Sequence, residues 1–124
     1  MAKRTANLGA RELAILKVIW RLEEASVREV YEAVRKRRPV AYTTVMTMMN
    51  TLEAKGYLRK RPDGRAFRYR ATRREARVMT SLVRDFVDRV FDGAARPLLA
   101  HLITQSKLTA EEREELRRLM DEAR

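Results

Sequence analysis

Residues 41–70 read AYTTVMTMMNTLEAKGYLRKRPDGRAFRYR, and the change of period and charge halfway along this stretch decides the fold. In its first half Val45, Met48, Met49 and Leu52 recur at helical spacing and form one apolar stripe. Thr43, Thr47, Asn50 and Thr51 are left pointing away from it. Helix surfaces are normally filled with Glu, Lys, Gln and Arg, which favour the helix more than Thr or Asn does, so a hydroxyl-rich face costs stability unless it touches something. Gly56 stands where a left-handed C-cap is cheapest and predicts the end of the helix. Tyr57 to Arg61 and Ala66 to Arg70 then flank Pro62-Asp63-Gly64-Arg65, a strong turn signal, so the second half reads as a hairpin.

In the second strand Phe67 and Tyr69 alternate with Arg68 and Arg70, which predicts one face resting on the domain and the other presenting guanidinium groups. With Arg59, Lys60, Arg61 and Arg65, the hairpin carries six cationic side chains, offset only by Asp63. Lys and Arg also serve to protect exposed strand edges from aggregation. The helix in front is what points further: Thr and Asn reach base edges and phosphates, and Thr or Met methyls pack on thymine methyls. Together the two halves predict a surface for nucleic acid.

The whole chain agrees. A length of 124 residues allows one domain, or a small domain with an oligomerisation segment, and a net charge of +11 calls for an anionic partner. The charge is unevenly spread. Residues 1–74 hold 19 Lys and Arg against 7 Asp and Glu, a net of +12, whereas residues 75–124 hold 9 against 10, a net of −1. Binding therefore belongs to the first part and a different task to the second. The absence of cysteine removes disulfides, thiolate metal sites and a cysteine nucleophile, and makes a reducing compartment the default. MAKRTANLGA contains no apolar core of signal-peptide length, and no stretch approaches the ~20 apolar residues that span a bilayer, so the expected location is cytoplasmic.

Upstream of residue 41, Leu13, Ile15, Leu16, Ile19 and Trp20 predict a first amphipathic helix entered near Gly9, with Trp20 a core residue. Ser26-Val27-Arg28-Glu29 is a capping box opening a second helix whose Val27, Val30, Tyr31 and Val34 share a face, and Pro39 stops it. Ala25 to Val27 is placed to pair with the hairpin as a third strand. Helix, helix, helix, hairpin is the order of a winged helix-turn-helix. The run Arg35-Lys36-Arg37-Arg38 reads either as a solvated complement to the helix dipole or as a phosphate contact beside the recognition helix.

Taken in order, LGARELAILKVIW, SVREVYEAV, AYTTVMTMMNTLEAKGYL and GRAFRYR resemble the motifs of the BlaI/MecI penicillinase-repressor family of bacterial winged-helix regulators, over roughly Leu8 to Leu119. The resemblance implies a homodimeric repressor on double-stranded DNA, bound at an inverted-repeat operator often built on TACA/TGTA cores. The positions matching the recognition helix are Thr43, Thr44, Met46, Thr47, Asn50 and Thr51. Arg65 with its neighbours matches the wing, which adds Arg59, Arg61 and Arg68 to the candidate DNA-binding residues. Thr stands at 43 and 51 where relatives often carry Lys or Arg, favouring hydroxyl, methyl and shape-dependent recognition over guanine readout.

The second part then supplies the dimer. Met79, Leu82, Val83, Phe86, Val87 and Val90 repeat at spacings of 3 and 4, with Arg84, Asp85, Asp88 and Arg89 opposite. After Asp92-Gly93, Pro97 suits the first turn of a helix carrying Leu98, Leu99, Leu102 and Ile103, and the capping box Thr109-Ala110-Glu111-Glu112 opens another with Leu116, Leu119 and Met120. Three helices of about 50 residues can hardly bury these stripes alone, so pairing with a second copy is expected, a helical cap on the winged domain being the alternative. The expected organisation is mainly α with a small β-wing: a winged-helix domain over 1–73 and a helical dimerisation domain over 74–124, using Met79, Leu82, Val83, Phe86, Val87, Val90, Leu99, Leu102, Ile103 and Leu116.

In penicillinase-type relatives a membrane metalloprotease sensor triggers cleavage inside the dimerisation region. The matching place is His101-Leu102, where the family's Asn-Phe pair is absent. One His, no Cys, no glycine-rich phosphate loop and no HExxH pattern leave no catalytic or metal constellation, so no enzyme activity, metal, cofactor or small-molecule ligand is expected. A lone His101 lacks the three or four converging donors a metal needs. A structured RNA partner, or a protein-interaction adaptor with an incidental basic face, are the other functional classes.

Overall fold

Gly9 opens the first helix, and its backbone N–H donates to Glu12 Oε1 at 2.9 Å, the reciprocal half of a capping box. The computed structural model describes residues 7–123; the opening residues 1–6, on which part of the signal-peptide reading rests, lie outside the described residues. Helix α1 (Ala10–Leu22) buries Ile15, Leu16, Val18 and Ile19. Trp20 is half-buried at the edge of that core, its indole N–H donating to the Arg73 carbonyl at 2.9 Å. Glu23 then takes a left-handed φ of 69°, which turns the chain within two residues into strand β1 (Ala25–Ser26).

Ser26 also caps helix α2 (Val27–Arg35): its hydroxyl accepts the Glu29 N–H at 3.1 Å, and Glu29 Oε1 accepts the Ser26 N–H at 2.9 Å. The helix ends at Arg35, before the proline, because the N–H groups of Arg37 and Arg38 both turn back to the Val34 carbonyl. Helix α3 (Tyr42–Ala54) buries Val45, Met49 and Leu52 and is closed by Gly56 at φ 89°, the left-handed residue the sequence calls for. Strands β2 (Leu58–Asp63) and β3 (Ala66–Ala71) follow, with Gly64 at φ 65° in the turn.

The sheet is antiparallel with order β1-β3-β2. Ala25 lies opposite Tyr69 and Ser26 opposite Arg68, so the short first strand does join the hairpin as the third. Ile15, Leu16 and Ile19, Val30, Val45, Met49 and Leu52, and Tyr57, Leu58 and Tyr69 form one core shared by three helices and the sheet. Lys55, just past α3, fixes that helix against the start of α1: its ammonium meets both Glu12 carboxylate oxygens at 3.0 and 3.1 Å and the Asn7 carbonyl at 2.8 Å. Three helices and a small winged sheet are therefore locked together by a common interior.

Helix α4 (Glu75–Phe91) carries the chain from one compact unit, ending at Asp85, into a second that begins at Phe86. In the second unit Asp92 and Gly93, at φ 52° and 85°, stop α4. Helix α5 (Ala95–Gln105) has Pro97 in its first turn, and α6 (Ala110–Glu122) is capped by Thr109, whose hydroxyl accepts the Glu112 N–H at 3.0 Å. No described helix is long and apolar enough to cross a membrane.

Candidate nucleic-acid interface

Because α3 spends Val45, Met49 and Leu52 on the core, its opposite side is forced outward. Thr43, Met46, Thr47 and Asn50 are exposed there. Thr44 and Thr51 are only half-exposed, and Thr44 lines a cleft of about 240 Å³ with Arg11, Arg38 and Val40. Asn50 is committed on one side: its Oδ1 accepts the Tyr69 hydroxyl at 3.1 Å. Its amide N–H groups remain as donors, suited to purine N7, guanine O6 or thymine O4 in a major groove.

At the helix entrance Tyr42, absent from the sequence-derived set, stacks edge-on against Tyr31 at 5.4 Å and lies under the Arg28 guanidinium at 6.0 Å. Its place in the first turn of α3, beside Thr43 and Thr44, was the available signal. Of the basic run, Arg35 is occupied locally by Glu32 at 3.2 Å and by the Tyr31 ring, whereas Arg37 and Arg38 are exposed.

Four of the six wing cations fall into two groups. Arg59 and Arg65 are exposed and meet no carboxylate among the described residues. Arg61 and Arg68, directly opposite each other across β2 and β3, instead clasp Glu24. Arg61 Nη2 and Nε reach its two oxygens at 2.7 and 3.0 Å, and Arg68 Nε reaches Oε1 at 3.1 Å. Arg68 also lies 3.1 Å from Glu29 and 4.0 Å from Asp63. Like charges facing each other across strands are destabilising, and Glu24 offsets that repulsion. The positive loop dihedral at Glu23 carries the chain toward this contact. Nothing in the local sequence marks Glu24, because its partners lie 37 and 44 residues away.

Hydrogen bonding from Arg61 above all, with Arg68 beside it, lowers the Glu24 carboxyl from 4.5 to about 2. Glu29 is lowered as well, first by the Ser26 backbone N–H and then by the charge of Arg68. A depressed folded-state value means that the clasp contributes its full stability above the unfolded value and loses it as pH falls toward the folded one. Glu24→Gln is therefore expected to flatten the decline of the melting temperature between about pH 5 and pH 2, followed by circular dichroism. An unchanged decline would remove Glu24 from this role.

Phe67 is the other departure. It was expected to rest on the domain, but only Tyr69 does so, at 3% exposure; Phe67 is 43% exposed, with the Lys60 ammonium 4.5 Å from its ring centroid.

The residues expected to pair two copies divide by unit. In the first, Met79 and Leu82 are half-buried and Val83 is exposed. In the second, Val87 is buried, Leu116 is half-buried, and Phe86, Val90, Leu99, Leu102 and Ile103 are exposed, as are Leu119 and Met120. His101 is exposed beside Leu102 in the middle of α5.

Comparison with known proteins places this geometry in context. The profile of the family described as penicillinase repressor matches residues 8–122. The transcriptional regulator BlaI of Mycobacterium tuberculosis is 36% identical over 98% of this chain and 88% of its own length. The methicillin resistance regulatory protein MecI of Mammaliicoccus sciuri is 23% identical over 98% of both chains. The solution structure of the DNA-binding domain of the repressor BlaI superposes with a TM-score of 0.54 at 29% identity, covering 60% of this chain and 92% of that one. A MarR mutant from E. coli, crystallised with operator DNA, shares the fold at TM-score 0.54 and 17% identity, over 95% of this chain and 76% of its own.

Proposed function

The chain belongs to the penicillinase repressor family, whose members are DNA-binding transcriptional repressors and not enzymes, and from that premise we propose that it works as a cytoplasmic homodimer on an inverted-repeat operator. The observation that carries the reading is the outward face of α3: Thr43, Met46, Thr47 and Asn50 lie exposed together, backed by a helix side wholly given to the core. Thr44 and Thr51 flank that face, and the wing stands next to it. In this division of labour α3 chooses the sequence and the free wing cations, Arg59 and Arg65, supply phosphate affinity. Arg61 and Arg68 act mainly by holding the wing, through Glu24, in the position from which Arg65 reaches the backbone.

The winged-helix domain of residues 1–73 reads one half-site. The helical segment of residues 74–124 joins two copies through Met79, Leu82, Val83, Phe86, Val87, Val90, Leu99, Leu102, Ile103 and Leu116, so that two half-sites one helical turn or a multiple apart are read at once. The large apolar side chains that the second unit leaves partly in water favour this pairing, since burying the exposed part of each would contribute about 1 kcal/mol. Release by a membrane metalloprotease sensor would act at His101-Leu102. That bond lies inside α5, so cutting requires the helix to open locally.

Titration of fluorescent duplexes at several salt concentrations tests the division. Arg65→Ala should weaken binding to every duplex and reduce the slope of log affinity against log salt by about one. Thr47→Ala should instead alter the ranking of duplex sequences and leave the slope alone. If the wing variant changed the ranking and kept the slope, the roles assigned to wing and helix would be reversed.

A further inference from the structure

Directly opposed residues of an antiparallel pair share a face, and every second residue returns to it. The register that sets Leu58 against Ala71, Lys60 against Tyr69 and Pro62 against Phe67 therefore gathers these side chains on one face of the wing. Arg59, Arg61, Arg68 and Arg70 share the other. The first face is the one turned toward α3: the Tyr69 hydroxyl donates to Asn50 at 3.1 Å, and the Lys60 ammonium lies 3.4 Å from Glu53. Leu58 and Tyr69 are covered by the core, but Phe67, nearer the turn, is not. The aromatic ring left in water thus stands on the same side as the reading face of α3, while most of the arginines stand on the reverse.

We propose, resting on the DNA-binding reading above, that Phe67 is a specificity-determining residue: its ring enters the minor groove beside the base pairs read by α3 and packs against a flanking base step, with Lys60 held beside the ring by Glu53. Apolar side chains inserted at a base step partly unstack it, and pyrimidine–purine steps yield most easily. Phe67 thereby adds a preference for TA, CA or TG at a flank that α3 does not touch. The Lys60 ammonium over its ring restrains the phenyl group. A phenyl ring releases no counterions, so this contribution does not depend on salt.

The test is selection of duplexes from a randomised pool by the full chain and by its Phe67→Ala and Phe67→Leu variants, followed by salt titration of the recovered sequences. The wild-type chain should enrich pyrimidine–purine steps at a fixed distance outside each half-site and bind them about tenfold more tightly than duplexes with a stiff step there. Phe67→Ala should recover the same half-sites without the flanking preference, with an unchanged salt slope and, because the residue is exposed, an unchanged melting temperature. Phe67→Leu should keep part of the preference. Half-sites recovered by Phe67→Ala with the flanking preference intact would overturn this inference alone. Failure of the wild-type chain to enrich any sequence would overturn the DNA-binding reading, and this inference with it.

Discussion

Phe86→Asp is expected to convert the proposed homodimer into a monomer whose winged unit remains folded and whose operator affinity is lower by about two to three orders of magnitude. Phe86 is 41% exposed at the start of the second unit, with the Phe91 ring edge-on at 5.9 Å, so the substitution disturbs little inside one copy. Between copies the same carboxylate would be driven into an apolar interface without a partner, where an uncompensated charge is strongly destabilising. Two linked half-site contacts share the cost of bringing protein and DNA together; a monomer must meet it for each. Sedimentation equilibrium reads the first part of the expectation and operator titration the second. A dimer that persists in the ultracentrifuge would show that the interface lies elsewhere.

Leu52→Ala is expected to lower the stability of the winged unit by about 3 kcal/mol, a shift of roughly 150-fold in the folding equilibrium. Leu52 is fully buried where α3 meets the core residues supplied by α1 and the sheet, and with Val45 and Met49 it anchors the side of α3 opposite the exposed hydroxyls. Small domains have only about 5–15 kcal/mol to lose. Urea unfolding followed by the fluorescence of Trp20, whose indole is tied to the Arg73 carbonyl, should register the change as a lower midpoint with an unchanged slope. Thr47→Ala, on the opposite side of the same helix, should leave the unfolding free energy within about 0.5 kcal/mol of the parent.

The elements that the sequence made legible are those written in local chemistry. Ser26 with Glu29 and Thr109 with Glu112 cap the helices they announce, Gly56 closes α3 in the left-handed conformation, and the hairpin turns where the sequence marks it, though at Gly64 and Arg65 alone, with Pro62 and Asp63 drawn into β2 by pairing with Phe67 and Ala66. Periodicity likewise set Val45, Met49 and Leu52 inward and Thr43, Thr47 and Asn50 outward. What escaped was non-local. Alternation in β3 places Phe67 and Tyr69 on one face, but it does not say that the core ends before reaching Phe67. Counting six wing cations as equivalent missed Glu24, because the pairing that occupies Arg61 and Arg68 exists only once β1 is laid beside β3. The exposed hydroxyls of α3 both donate and accept, so they carry no signature of the bases they would meet.

Glu29 has a double attachment whose effect reaches past either contact. The same carboxylate oxygen that accepts the Ser26 N–H at the start of α2 lies 3.1 Å from Arg68 in the wing. Helix and hairpin are consequently not independent in inheritance: a substitution at position 26, 29 or 68 changes the value of whatever stands at the other two, and their effects will not add. Drift in one of these positions constrains the others. A wing angle suited to a new operator would then be reached by joint replacement of the three and not by successive single steps.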